Sequence, residues 1–363
     1  MSKPKEIQIE GKNYFAWPYE EQTQIKHKVL ESYAKIWVSK LGCRKNTLFF
    51  DCHGGCGAYL RDDGNLSFGS SIIVKRISDE INKNRKTKTG IYYCEVAKKN
   101  YNNFLEVLED CGKPKIMTHN KTFEEVIADS SVSKYYNNYP TLFLIDPFGF
   151  NFCINNLSDL MKGQGNEIIL NFMFDFINRF LSLPKLETAY TNFFGNDRWK
   201  EALNMKEKER EDFLVKIFRE KMKETTKAKY VFPYRLCYPN KEQTYYYLFH
   251  ATNHIDGITL MKDAFAGVSN GRVQYLGKNN KEISFWDLSC FKSEEIYNLC
   301  LIKYKGEKIS FEKLWNEVVE DIAYTCKDLS QALVELEQNG KVKVARVSSV
   351  RGRYKERDII EIL

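Results

Sequence analysis

Three carboxylates stand at positions where the sequence can do chemistry. Asp51 closes the apolar run NTLFFD and leads into CHGGCG, with glycines at 54, 55 and 57. Glycines admit close approach of a ligand to the backbone, and N–H groups before a helix face a polar group. Glu95 closes a second apolar run, IYYCE, where a carboxylate offers two acceptors to the two hydroxyls of a ribose. Asp146 closes a third, TLFLID, and is followed by Pro147, Phe148 and Gly149. An Asp–Pro–aromatic triplet accepts from an exocyclic amine through side-chain and backbone oxygens, and its ring gives a flat base a stacking face. Asn171, in a fifth apolar run, and Arg179, after it, are candidates to line the same crevice.

The elements that must position these residues alternate. Runs 46–51, 91–95, 114–118, 141–146 and 166–173 read as strands, separated by helix-like segments such as SSIIVKRISDEINKN and AKKNYNNFLEVLEDC. That alternation predicts an α/β fold with a mostly parallel sheet, whose carboxyl edge is the ligand crevice. An amphipathic helix over 20–41 precedes the strands, and a helical, charge-rich insertion occupies about 185–228. Segments 229–238 and 243–252 flank PNKE as an antiparallel hairpin. Parallel strands ending in such a hairpin follow the strand order of Rossmann-like methyltransferases. From about 305 the pattern becomes helix, helix, then two strands around RGRYKER, a winged-helix pattern. The expected organisation is a Rossmann-like domain over 1–267, a linker region over 268–304 and a winged-helix domain over 305–363.

A dinucleotide fingerprint would need GxGxxG and an acid about 20 residues on. Here the glycines are GGxG and Glu95 stands 44 residues after Asp51, which favours S-adenosylmethionine over NAD. Asp51, Gly55, Gly57 and Glu95 would hold the cofactor, while Asp146, Pro147 and Phe148 would orient a substrate base. The bland alternatives are a tight strand–helix turn at CHGGCG and an ordinary β-turn at DPFG.

The 363 residues carry a net charge of +7, with 43% hydrophobic and 28% charged residues, which excludes a disordered or collagen-like chain. Lys341, Lys343, Arg346, Arg351, Arg353, Lys355 and Arg357 stand against Glu356 alone, so residues 341–357 carry +6. On a wing hairpin that stripe suits phosphate contacts. No run of eighteen apolar residues and no signal-peptide core is visible, so a cytoplasmic location without membrane contact is expected. Ten cysteines include no CxxC pair; Cys52, His53 and Cys56 lack a fourth ligand, so no metal site is assigned. HExxH and Walker A motifs are absent. Glu95 and Lys98 match a metal-dependent nuclease poorly. His250 and His254 read as ordinary structural residues, with Asn253 capping a helix.

Together these residues resemble the three-Cys-motif partner protein family, TcmP, over roughly 15–265. Thr23 and Lys28 are similar to the family's opening helix, and Asp51-Cys-His-Gly-Gly-Cys-Gly-Ala-Tyr59 resembles its Asp-x-Phe-Ala-Gly-Pro-Gly-x-Tyr. Gly69-Ser70 resembles its Gly-Ser-Pro. TLFLIDPFG, EIILNF and YYYLFHATNHIDGITLMKDAF resemble its later strands and final helix. His53 and Gly54 replace Phe-Ala, and Ser71 replaces the Pro. The resemblance implies a Rossmann-like, S-adenosylmethionine-dependent methyltransferase fold, a partner protein carrying a three-Cys motif, and a setting in mobile-element or anti-phage defence systems. It adds His53 and Tyr59 to the cofactor positions, and Gly149, Asn171 and Arg179 stand as substrate positions. The expected activity is methyl transfer to nucleic acid, DNA or RNA. The alternative is a catalytically silent nucleic-acid- or partner-binding subunit on the same fold.

Overall fold

In the computed structural model the described residues are 4–9, 11–149, 152–238, 243–269, 293–347, 354 and 356–363. The chain opens with strands β1 (Lys5–Ile9) and β2 (Lys12–Pro18) and helix α1 (Glu21–Leu41). There follow β3 (Thr47–Asp51), β4 (Ala58–Leu60), β5 (Leu66–Phe68), α2 (Ser70–Ile81), β6 (Thr89–Cys94), α3 (Lys98–Asp110) and β7 (Met117–His119). Then come α4 (Phe123–Ala128), α5 (Ser130–Asn138), β8 (Thr141–Ile145) and β9 (Glu167–Phe172). The insertion holds α6 (Phe174–Phe180), α7 (Glu187–Phe194) and α8 (Glu207–Thr226), and leads to β10 (Tyr230–Cys237), β11 (Thr244–Thr252) and α9 (Ile255–Val268).

The main sheet has the order β10-β11-β9-β8-β3-β6-β7. Neighbours from β9 to β7 are parallel, and β11 runs antiparallel between β9 and β10. This is the Rossmann-like strand order expected from the sequence. Every residue of β3, β8 and β9 is buried, as a sheet covered on both faces requires. Alternate side chains feed two cores. Phe49, Ile91, Leu144 and Ile169 pack beneath α1, α2 and α9, while Phe50, Tyr92, Phe143 and Leu170 face α4, α5 and the insertion. Register sets Asp51 opposite both Tyr93 and Leu144, so Glu95 and Asp146 each lie two residues further along the same carboxyl edge.

Two features depart from the expected plan. Between the glycine turn and α2 the chain inserts the β4–β5 hairpin, which joins β1 and β2 in a second sheet of order β1-β2-β4-β5. The glycine turn therefore does not run straight into a helix. Instead the Gly69 N–H donates to the Gly57 carbonyl at 2.9 Å, bringing the start of α2 back to the turn. The second departure is at α9, whose N-cap residue is His254, with no side-chain cap. Asn253, expected in that role, accepts from the Lys229 N–H at 2.9 Å. His250 is buried and its Nε2 is hydrogen-bonded to Glu167 at 2.9 Å.

The C-terminal elements are β12 (Lys308–Ser310), α10 (Phe311–Val318), α11 (Cys326–Gln338), β13 (Val342–Ala345) and β14 (Ile359–Ile362), with sheet order β12-β14-β13. Thr325 and Asp328 form a capping box that starts α11. The unit is not a free appendage. Leu314, Val318 and Leu333 belong to the same buried cluster as Val29, Met261 and Phe265. Glu320 accepts from the Val231 N–H at 2.7 Å and pairs with Lys223 at 2.7 Å. Much of the segment read as a linker, 270–292, lies outside the described residues, and Ile296 and Leu301 beyond it are fully buried. Among the described residues no helix is long and apolar enough to cross a membrane.

Candidate functional site

At the carboxyl edge, where the connections leaving β3 and β8 run toward opposite ends of the sheet, lies a cavity of roughly 1190 Å³. Asp51, Glu95 and Asp146 all line it, together with Pro147, Phe148 and Asn171. His53, Gly55 and Tyr59 contribute to its wall as well.

Asp51 is 1% exposed and accepts from the Ser70 hydroxyl and, at 2.8 Å, from the Ser71 hydroxyl. Burial pushes its carboxyl up to about 6, although both hydroxyls favour the anion. Its Oδ1, the His53 Nδ1 and the Asn171 Oδ1 are buried polar atoms without a partner among the described residues. Such atoms cost free energy unless a ligand or water meets them. At Gly55, with φ +64°, a Cβ would project into open space, so the glycine leaves a cradle. Gly54 is held for a different reason: its Cβ would lie 2.1 Å from the Tyr93 ring. Glu95 accepts from the Ala97 N–H at 2.7 Å, and Asn120 holds the Glu95 carbonyl at 2.8 Å. These polar groups fit an adenosyl amino acid: a carboxylate for a ribose, an acid beside an ammonium, and a glycine cradle.

Asp146 pairs with Lys26 of α1 and accepts from the Asn171 amide at 2.6 Å. Burial alone would raise its carboxyl. The Lys26 ammonium, with the Asn171 amide, overrides this and holds it below the ordinary range. Phe148 is 64% exposed at the cavity mouth, its ring 6.3 Å from Trp17. Burial holds His27 down to about 3 and lowers His53, so both imidazoles are neutral near pH 7.

Three expected site residues stand elsewhere. Gly57, at φ +74°, packs under the Phe104 ring, which a Cβ would meet at 2.4 Å; it shapes the turn and is not among the lining residues. Gly149, at φ +69°, turns the chain against Phe176. Arg179 pairs with Asp175 on its own helix, away from the cavity, because its (i, i+4) position points it along α6.

In the C-terminal stripe, Arg346 pairs with Glu337 and lies over Tyr354, and Lys341 is 3.6 Å from Glu294. Lys343 lies on β13, Arg357 follows in the turn before β14, and Arg351, Arg353 and Lys355 lie outside the described residues. Cys52 and Cys56 direct their thiols to the Phe50 and Ala58 carbonyls at 3.6 and 3.3 Å. Sequence reasoning missed Lys26, Ser70 and Ser71 as partners of the two aspartates. For the serines a signal existed, since they open α2 directly after Gly69.

No family model and no curated protein matches the sequence. Among solved structures, a Legionella pneumophila protein is 13% identical with TM-score 0.40, covering 68% of this chain and 92% of its own. An rRNA methylase from Streptococcus thermophilus is 8% identical with TM-score 0.32, covering 64% and 96%. A Streptococcus mutans protein solved in complex with SAH is 11% identical with TM-score 0.32, covering 64% and 97%. Strand order, rather than these likenesses, defines the fold.

Proposed function

We propose that the protein is an S-adenosylmethionine-dependent methyltransferase acting on nucleic acid. One observation carries the reading: the glycine turn with Asp51, the ribose-type acid Glu95 and the Asp146-Pro147-Phe148 triplet all line a single cavity. S-adenosylmethionine, when bound, supplies a methyl group on a sulfonium for direct displacement. Glu95 would hold the ribose hydroxyls, Asp51 the ammonium, and Gly55 the open backbone beside them. Asp146, kept anionic by Lys26, accepts a proton-bearing nitrogen of the substrate and orients it, while Phe148 covers the base. Alignment is the main contribution of such a site. The C-terminal unit is read as a winged helix, and the surrounding system as a cytoplasmic defence or mobile-element system with a three-Cys-motif partner.

A second reading, a catalytically silent binding subunit, is favoured by the Lys26–Asp146 pair, which already occupies the acid a substrate amine would need. Calorimetric titration of S-adenosylhomocysteine into the full chain, followed by transfer of radiolabelled methyl to mixed DNA and RNA, separates the two. The enzyme reading expects binding, at least tenfold weaker in Glu95→Ala, and incorporation abolished by Asp146→Ala. Binding without incorporation selects the silent subunit. No binding at near-millimolar ligand removes the cofactor assignment.

A further inference from the structure

A second concavity, of roughly 210 Å³, lies beside the first and is lined by Lys28, Arg61, Arg76, Tyr19, Ser67 and Glu31, among others. The three cations come from α1, from the loop after β4 and from α2, 48 residues from first to last. Their partners differ from those of most surface cations. Arg76 lies 4.3 Å over the Phe68 ring, Arg61 lies 6.0 Å over Tyr19 and reaches the Ser67 hydroxyl at 3.4 Å, and Arg76 also meets the Cys111 thiol. Rings, a hydroxyl and a thiol hold these guanidinium groups in place, and the exposed Asp63 lies within electrostatic reach of Arg61. Glu31 is the acid on this wall, and Lys35 claims it at 2.8 Å. His27, shared by both cavities, is neutral and adds no charge. The wall between the two concavities is aromatic: Tyr19, His27 and Tyr59 have ring centroids 5.0 to 5.5 Å apart.

We propose that Lys28, Arg61 and Arg76 form a phosphate-binding subsite that receives a phosphodiester of the substrate strand whose base enters the neighbouring cavity. The assignment rests on the methyltransferase reading for the base and on the cleft's own chemistry for the phosphate. It moves the main electrostatic contact from the C-terminal stripe, where Arg346 and Lys341 already face acids, to the rim of the site itself.

The test is binding of fluorescein-labelled DNA and RNA oligonucleotides to the full chain between about 50 and 200 mM salt, by anisotropy. Lys28→Gln/Arg61→Gln/Arg76→Gln should weaken binding about tenfold or more and flatten the log–log salt slope by about 0.7 to 0.9, the value for one phosphate contact. Arg61→Lys/Arg76→Lys keeps the charge and should keep the slope. All three side chains are exposed, and the melting temperature verifies that each variant folds. Unchanged affinity and slope in the triple Gln variant overturns the subsite. If the variant loses competition by inorganic phosphate but not oligonucleotide binding, the cleft serves a free phosphate, and the strand assignment falls. S-adenosylhomocysteine titration of the same proteins is read separately: its failure in the wild type counts against the methyltransferase reading and leaves the oligonucleotide comparison standing.

Discussion

A buried aspartate held near neutrality gives a residue-scale prediction with a definite sign. Asp51 titrates near 6 in the folded chain against an ordinary 3.8, so the folded state binds more protons between those values. From this group alone, stability falls as pH rises through that window. A ligand's ammonium group reverses the sense, because the ionised carboxylate attracts it. Affinity for S-adenosylhomocysteine should therefore climb between about pH 5 and 7 with a midpoint near 6. Asp51→Asn should bind with no such rise, and calorimetry across pH measures both. A flat wild-type profile would remove Asp51 from the ammonium's surroundings. At this scale the sequence was informative about the acids, since each ends an apolar run. It was silent on Lys26, because helical spacing marks a polar face without naming the strand end, 120 residues on, that the face meets.

At the scale of elements, the strand–turn junction rests on ring packing. Tyr93 stacks on Phe104 with centroids 3.6 Å apart and donates its hydroxyl to the Gly55 carbonyl, and Gly54 is pressed against the same ring. Gly54→Ala should therefore cost about 1 to 3 kcal/mol, the range for overpacking. Gly64→Ala, at φ +81° with open space around the Cβ, carries only backbone strain and should cost about 1 kcal/mol. Thermal melting followed by circular dichroism compares them, and a Gly54→Ala midpoint equal to wild type would refute the packing account. Most of the main strands were legible because they are apolar runs of five residues or more ending at a turn; β7, with three residues, was met only at Met117 and Thr118 by the run 114–118. The second sheet was not: β4 and β5 have three residues each, too few for alternation to show, and β1 reads KEIQI with only two apolar positions.

For the whole molecule, counting charge along the chain and locating it in space give different answers. The stripe from 341 to 357 holds +6 of the net +7, yet two of its described cations face acids, while the three cations around the smaller cleft come from distant segments. Linear counting cannot register a cluster assembled by folding. The same holds for the C-terminal unit, which a change of pattern marked off in sequence but which shares a core with α1 and α9. Lys262 of α9 sits at that junction, 0% exposed, its ammonium 4.0 Å from the Phe232 ring and donating to the Ile322 and Tyr324 carbonyls. Burial pushes it well below the ordinary lysine range and seals it from reagents. Lys262 is thereby a built-in chemical clock: an acylating label should mark exposed lysines at once and Lys262 only when the C-terminal unit lifts away. The lag, read by mass spectrometry, times that opening.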